Sequence, residues 1–336
     1  MHHTLTALLA AAALLCGAAH ARHQAPAQPT PAADYHQHVF SDEIIALIGP
    51  GSGLVPLPAK DLIPLLDAAG IRKAVLLSTA YMYGSANRKV DNEYARVRRE
   101  NDWTAEQAAQ YPDRLIAFCG IAPMKDYALE EIRRCAGRPG LKHGIKLHLG
   151  NSDVQLGEPA HQARLAEVFA GADRAGMAIL VHMRASIRHK RPYGAAEAQA
   201  FLDKVLPAAP NVPVQVAHLA GTGPGYDDPP SRDVLAVLAE AMEKRHPATR
   251  NLWFDVASIA QNDTTPEDAA ELAKRLRQIG LTQVLYGSDS AQGGNLRPRE
   301  AWAAFRKLPL TAGEFEQVAR NRPPYMKDSP VREERP

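Results

Sequence analysis

The stretch LAEVFAGADRAGMAILVH, residues 165–182, holds one repeat of the architecture. Leu165, Val168, Phe169 and Ala172 recur at i, i+3, i+4 and i+7, an apolar stripe along one helix face, and Gly176 supplies a stop. Ala178-Ile-Leu-Val-His182 then reads as a short buried strand ending on a histidine. The same alternation extends in both directions. Apolar runs occur at 35–39, 73–78, 115–121, 144–149, 178–183, 214–219, 252–256 and 284–288, with amphipathic stretches between them. One of those stretches opens with Thr265-Pro266-Glu267-Asp268, an N-cap, a proline at the first helical position and an acidic first turn. It carries Leu272, Leu276 and Ile279 on one face and stops at Gly280. Strands that alternate with helices form a parallel sheet, and eight of them close a barrel. The expected fold is α/β, a single-domain (β/α)8 TIM barrel over residues 34–326. A doubly wound open sheet needs fewer strands and usually a Gly-rich first turn, which is missing here.

Composition is that of a soluble globular enzyme, with 46% apolar and 23% charged residues in a chain of 336. The net charge of +2 is spread along the chain, which argues against a nucleic-acid or membrane surface. Residues 1–21 hold an apolar run followed by Ala19-His20-Ala21, the form of a secretory signal peptide. The run is too short to serve as a membrane span. Residues 22–33 read as a flexible leader and 327–336 as an irregular tail. The expected location is therefore periplasmic or secreted. After cleavage Cys119 and Cys135 remain. An exported protein permits a disulfide, but two buried free thiols are the expectation. They form no Cys-x-x-Cys pair that would mark a thiolate metal site.

The chemistry begins with Asp34-Tyr35-His36-Gln37-His38 on the first strand. Residues two apart on a strand share a face, so His36 and His38 project together. Among 13 histidines such a pair is a weak signal alone. Other strands strengthen it: 178–182 ends in His182, 214–218 in His218, and 284–289 in Asp289. The carboxyl ends of barrel strands open on one rim, where active sites are built. His36, His38, His182 and Asp289 would make a set of three nitrogens and one oxygen for a divalent ion, zinc first, with manganese, iron or nickel as alternatives.

Strand four, His143-Gly-Ile-Lys146-Leu-His148, alternates so that Lys146 and His148 face the barrel interior. A buried lysine needs a partner. Lys146 is open to three roles: holding a substrate carboxylate, bridging two metals in carboxylated form, or pairing with an acidic neighbour. His148 either supports the site or contacts substrate. Arg184, two residues past His182, either clamps an anionic substrate or forms a loop ion pair. Tyr81 and Tyr83 follow strand two onto the rim. The glycine-rich segments 49–53 and 221–225 read as mobile rim loops.

These motifs together resemble the amidohydrolase superfamily, in the amidohydrolase 2 branch of aminocarboxymuconate-semialdehyde decarboxylase-like metal-dependent hydrolases. The resemblance runs from about Asp34 to Met326 and takes in His36-x-His38, Gly144-Ile-Lys146-Leu-His148, His182, His218, Gly287-Ser-Asp289 and Asn321-Arg-Pro-Pro-Tyr-Met. It implies one metal held by His36, His38, His182 and Asp289, with His218 off the metal as an acid/base or polarising group.

The leading expectation is hydrolysis of an amide, lactone or ester carbonyl in a small polar or anionic substrate. Asp289 takes a proton from an activated water, and His218 orients it. The alternative is non-oxidative decarboxylation of an unsaturated or aromatic acid on the same residues. A third possibility is a non-catalytic ligand-binding barrel. A small molecule is the expected partner, and a homodimer is left open.

Overall fold

All eight apolar runs form strands: β1 (Asp34–Gln37), β2 (Ala74–Leu77), β3 (Leu115–Ile121), β4 (Gly144–His148), β5 (Ala178–His182), β6 (Val214–Val216), β7 (Leu252–Asp255) and β8 (Val284–Leu285). Each pairs in parallel with the next in chain order. The seam is carried by backbone hydrogen bonds from Tyr35 N to Tyr286 O at 2.9 Å and from Asp289 N to His36 O at 2.8 Å. The result is a nearly closed (β/α)8 barrel. The computed structural model describes residues 29–326. The signal peptide expected over 1–21, the first part of the leader and the tail at 327–336 lie outside the described residues.

Pleat alternation sorts the side chains. Tyr35, Val75, Leu77, Phe118 and Leu180 fill the interior. Their neighbours Leu76, Ala117, Ile145, Ile179 and Val181 join the core beneath the helices. Strands buried on both sides explain why these segments read as unbroken apolar runs. At Gly144 a Cβ would lie 2.4 Å from the Phe118 ring, so the glycine makes room for that ring inside the barrel. Toward the amino ends of the strands, Tyr325 from the C-terminal turn Pro324–Met326 meets the rings of Phe118 at 5.1 Å and Tyr35 at 6.4 Å. These rings form a floor.

Both helices singled out in the sequence are present, Pro159–Arg174 and Pro266–Ile279. The Thr265 side chain accepts from Asp268 N, and Gly280 ends the second helix at φ +90°. Among the described residues no helix is long and apolar enough to cross a membrane.

Two expectations change. The strand runs at 214–219 and 284–288 end early, at Val216 and Leu285. His218, Leu219, Ala220 and Asp289 all have positive φ, a backbone region costly for non-glycine residues, so His218 and Asp289 stand in turns beyond the strands. The cysteines are not free thiols: Cys119 and Cys135 are disulfide-bonded, with Cα atoms 6.4 Å apart. Cys119 follows the inward Phe118 and so faces outward, toward the buried side of the helix Ala128–Ala136 that carries Cys135.

Candidate metal centre

His36, His38 and Asp289 bring donor atoms within 4.8 Å of one another at the barrel mouth. Each imidazole is oriented from behind. His36 Nδ1 donates to Asp255 Oδ2 at 3.0 Å, and His38 Nδ1 donates to the Leu77 carbonyl at 2.8 Å. A carbonyl or carboxylate oxygen only accepts, so both Nδ1 atoms carry hydrogen and both Nε2 lone pairs are left for the cavity. Each Nε2 lies 3.6 Å from Asp289 Oδ1. Asn295 Nδ2 holds the other carboxylate oxygen at 2.8 Å. Gly287 permits this approach, since a Cβ there would lie 2.7 Å from His36 Cβ.

Electrostatics favour metal-competent protonation states. Burial pulls the His36 pKa down to about 4, helped by Lys146 and opposed by Asp255. His38 and His182 are also pulled well below the usual range by burial. Asp289 is held below the ordinary carboxylate range, because His36, His218 and His38 outweigh the upward push of burial. Neutral imidazoles beside an ionised carboxylate fit a single divalent ion.

The cluster opens into a cavity of about 200 Å³ that also receives Thr79, Tyr81, Lys146, His148, His182 and His218. A family model described as amidohydrolase matches residues 33–321. The chain belongs to the amidohydrolase family.

Solved structures share this amidohydrolase's fold at low identity. The 5-carboxyvanillate decarboxylase of Sphingomonas paucimobilis is 16% identical at a TM-score of 0.60, over 86% of this chain and 96% of that one. A probable 2-pyrone-4,6-dicarboxylic acid hydrolase from Acinetobacter baumannii, with citric acid bound, is 17% identical at 0.57, over 86% and 96%. A dihydroxybenzoic acid decarboxylase from Polaromonas, with manganese and 2-nitroresorcinol bound, is 14% identical at 0.57, over 86% and 94%. No curated protein sequence matches the chain.

Within the amidohydrolase site the other expected residues take distinct places. His182 lines the cavity but lies outside the tight cluster, its ring stacked on His148 at 3.9 Å. Register puts Lys146 level with Leu180 and His148 level with His182, both toward the interior as alternation requires. Lys146 is 1% exposed, and its Nζ sits 3.4 Å from His36 Nε2. Burial lowers its pKa to about 8, against the pull of Asp289 and Asp255. His218 Nδ1 donates to Ala257 O at 2.7 Å.

Arg184 is engaged elsewhere. It grips both carboxylate oxygens of Asp228, at 2.5 and 3.1 Å, and lies over the Tyr193 ring, so it is a loop ion pair. Tyr81 reaches the cavity, whereas Tyr83 turns its hydroxyl toward Glu43. The 221–225 loop packs down on the site: a Cβ on Gly223 would lie 3.2 Å from His218 Nδ1.

Asp255 is the site residue that sequence reasoning missed. Its Oδ1 accepts from the backbone of His218 at 2.9 Å and Ala257 at 3.1 Å, while Oδ2 accepts from His36 and Gln215. It ends the apolar run Leu252-Trp-Phe, the signal that marks Asp289. Glu100 is a second omission. It accepts from Thr79 Oγ1 behind the cavity wall and from Ser41 Oγ.

Proposed function

We propose that this amidohydrolase removes CO2, without oxidation, from a small unsaturated or aromatic carboxylic acid. The observation that carries this reading is Lys146. It is a buried ammonium on the cavity wall beside His36, and no acidic side chain forms an ion pair with it among the described residues. Such a group is stabilised by an anion entering the cavity. The preponderance of decarboxylases among the structural neighbours supports the same choice, reversing the order of activities expected from the sequence.

His36, His38 and Asp289 would hold one divalent ion, with His182 as the proposed fourth donor. The ion supplies Lewis-acid polarisation of a substrate oxygen. Manganese in a structural neighbour weighs toward that metal over the expected zinc. Lys146 Nζ, protonated below pH 8 or so, holds the anion. The bond from the ring or vinyl carbon to the carboxylate breaks, CO2 leaves, and the electron pair left on carbon takes a proton. Asp289 and His218 line the cavity where that proton is needed and are the groups proposed to carry it.

Hydrolysis of a lactone, ester or amide is the second reading, supported by the pyrone hydrolase among the neighbours. In it Asp289 receives a proton from water and His218 polarises the carbonyl. Export after Ala21 remains part of the proposal, and the Cys119–Cys135 bond supports it, since disulfides persist in oxidising compartments.

The test is a panel of hydroxybenzoic, unsaturated and pyrone acids given to manganese-loaded protein, with CO2 and ring opening measured separately. CO2 from at least one acid, lost in Lys146→Met, is the expected outcome. Ring opening with no CO2 from any acid would sink the proposal in favour of hydrolysis.

A further inference from the structure

A chain of hydrogen bonds runs down the barrel interior from the metal centre to Tyr325 in the turn Pro324–Met326. His36 Nδ1 meets Asp255 Oδ2 at 3.0 Å. Gln215 Nε2 donates to the same oxygen at 2.7 Å. Tyr325 Oη donates to Gln215 Oε1 at 2.7 Å, across 110 residues of sequence. Gln215 is 1% exposed and Asp255 fully buried.

The chain has a direction. Asp255 is seated as an acceptor: its Oδ1 takes the backbone N–H groups of His218 at 2.9 Å and Ala257 at 3.1 Å. Gln215 Nε2 lies between Asp255 Oδ2 and a backbone carbonyl, and a carbonyl oxygen only accepts, so the amide turns its NH2 toward Asp255. Its second N–H faces the Tyr35 carbonyl at 3.4 Å. The amide oxygen then points at Tyr325 and requires a donor, which the phenol supplies. At the other end the same carboxylate requires a donor from His36, which is Nδ1–H. The Nε2 lone pair is thereby committed to the cavity.

We propose that Tyr325 is a positioning residue for the metal centre, acting through Gln215 and Asp255 to fix which nitrogen of His36 carries the proton. This rests on His36 being a metal ligand, as proposed above. Without the Tyr325 hydroxyl, Gln215 Oε1 loses its buried donor, and the amide is pinned at one end only. Its NH2 contact then holds Asp255 less strictly, and Asp255 in turn holds His36 less strictly. Tyr35 is a built-in control. It belongs to the same ring cluster and buries its hydroxyl on the Asn321 carbonyl at 2.7 Å, outside this chain of side chains.

The test uses the full chain with 15N-labelled histidine, stripped of metal, with His36 assigned by comparison with His36→Gln. Long-range 1H–15N spectra report the tautomer, and titration with manganese alone reports affinity. Wild type is expected to hold His36 in the Nδ1–H form. Tyr325→Phe is expected to give mixed tautomers and a manganese dissociation constant raised about three- to tenfold, below the ~10–100-fold typical of direct partners of a ligand. Tyr35→Phe leaves both unchanged. If Tyr325→Phe does not fold, Gln215→Met breaks the same chain at its centre and takes its place. A folded variant with the wild-type tautomer and affinity overturns the proposal, as does an Nε2–H His36 in wild type. If wild type binds no manganese, the metal-centre reading fails, while the tautomer still decides the role of Tyr325.

Discussion

The backbone N–H of Asp289 donates to the His36 carbonyl at 2.8 Å, so one bond of the barrel seam also seats the carboxylate against two imidazoles. Closure and site assembly are one event here. Asp289→Asn keeps that backbone bond and removes only the charge. It is expected to fold with an unchanged melting temperature, lose part of its metal, and lose turnover by about 100-fold or more. Metal analysis and rate measurement check this; full turnover would refute the assigned role.

Gly287→Ala attacks the same seam from the side. Its Cβ would lie 2.7 Å from His36 Cβ, and neither backbone can yield without opening the barrel. A loss of about 1–3 kcal/mol is expected, the usual cost of overpacking, together with weaker metal binding. Thermal unfolding and metal titration measure the two effects. A variant as stable as wild type would mean that the seam is looser than its geometry.

Arg184 serves the loops and not the substrate. With Arg184 buried and bonded to both oxygens of Asp228, Arg184→Met is expected to cost about 3 kcal/mol of stability and to change KM little. Asp228→Asn should cost a similar amount, and the double variant less than the sum. A large KM increase at unchanged stability would return Arg184 to the substrate.

Glu100 makes stability depend on pH. Burial raises its pKa to about 7, and bonds from Ser41 and Thr79 offset this only in part. An acid whose folded pKa exceeds its unfolded value binds protons better when folded, so stability falls as pH rises from about 4.5 to 7. At about 1.4 kcal/mol per pH unit the loss approaches 3 kcal/mol. Glu100→Gln should flatten that slope in denaturant unfolding curves; the contribution of Asp34, also raised to about 7 by burial, persists.

Reducing Cys119–Cys135 opens a loop with a sequence separation of 16, for which chain entropy gives a loss of about 3 kcal/mol. Melting with and without a reductant measures it. An unchanged melting temperature would show that the buried bond contributes nothing.

The barrel and most of its mouth were legible because buried parallel strands leave the same mark each time, an apolar run that ends on one polar residue. His182 and Asp289 carry that mark, and His36 and His38 carry the two-residue spacing of one strand face. Asp255 ends such a run too, but an aspartate at a strand end looks alike whether it faces a metal or stands behind a histidine. The partner of Arg184 lies 44 residues away, on a loop whose path no periodicity encodes. The disulfide was harder still, since pairing depends on strand phase and helix phase together.

Among the described residues Tyr35, Phe118 and Tyr325 fill the barrel at the end remote from the site, which makes the cavity a vessel that opens toward the mouth. Leu54, Met82 and Thr222 line the same cavity as the histidines, so substrate and products share that lining. A reaction that divides one molecule into two has to empty this vessel before refilling it. The product that departs last will therefore compete with fresh substrate for the same cavity.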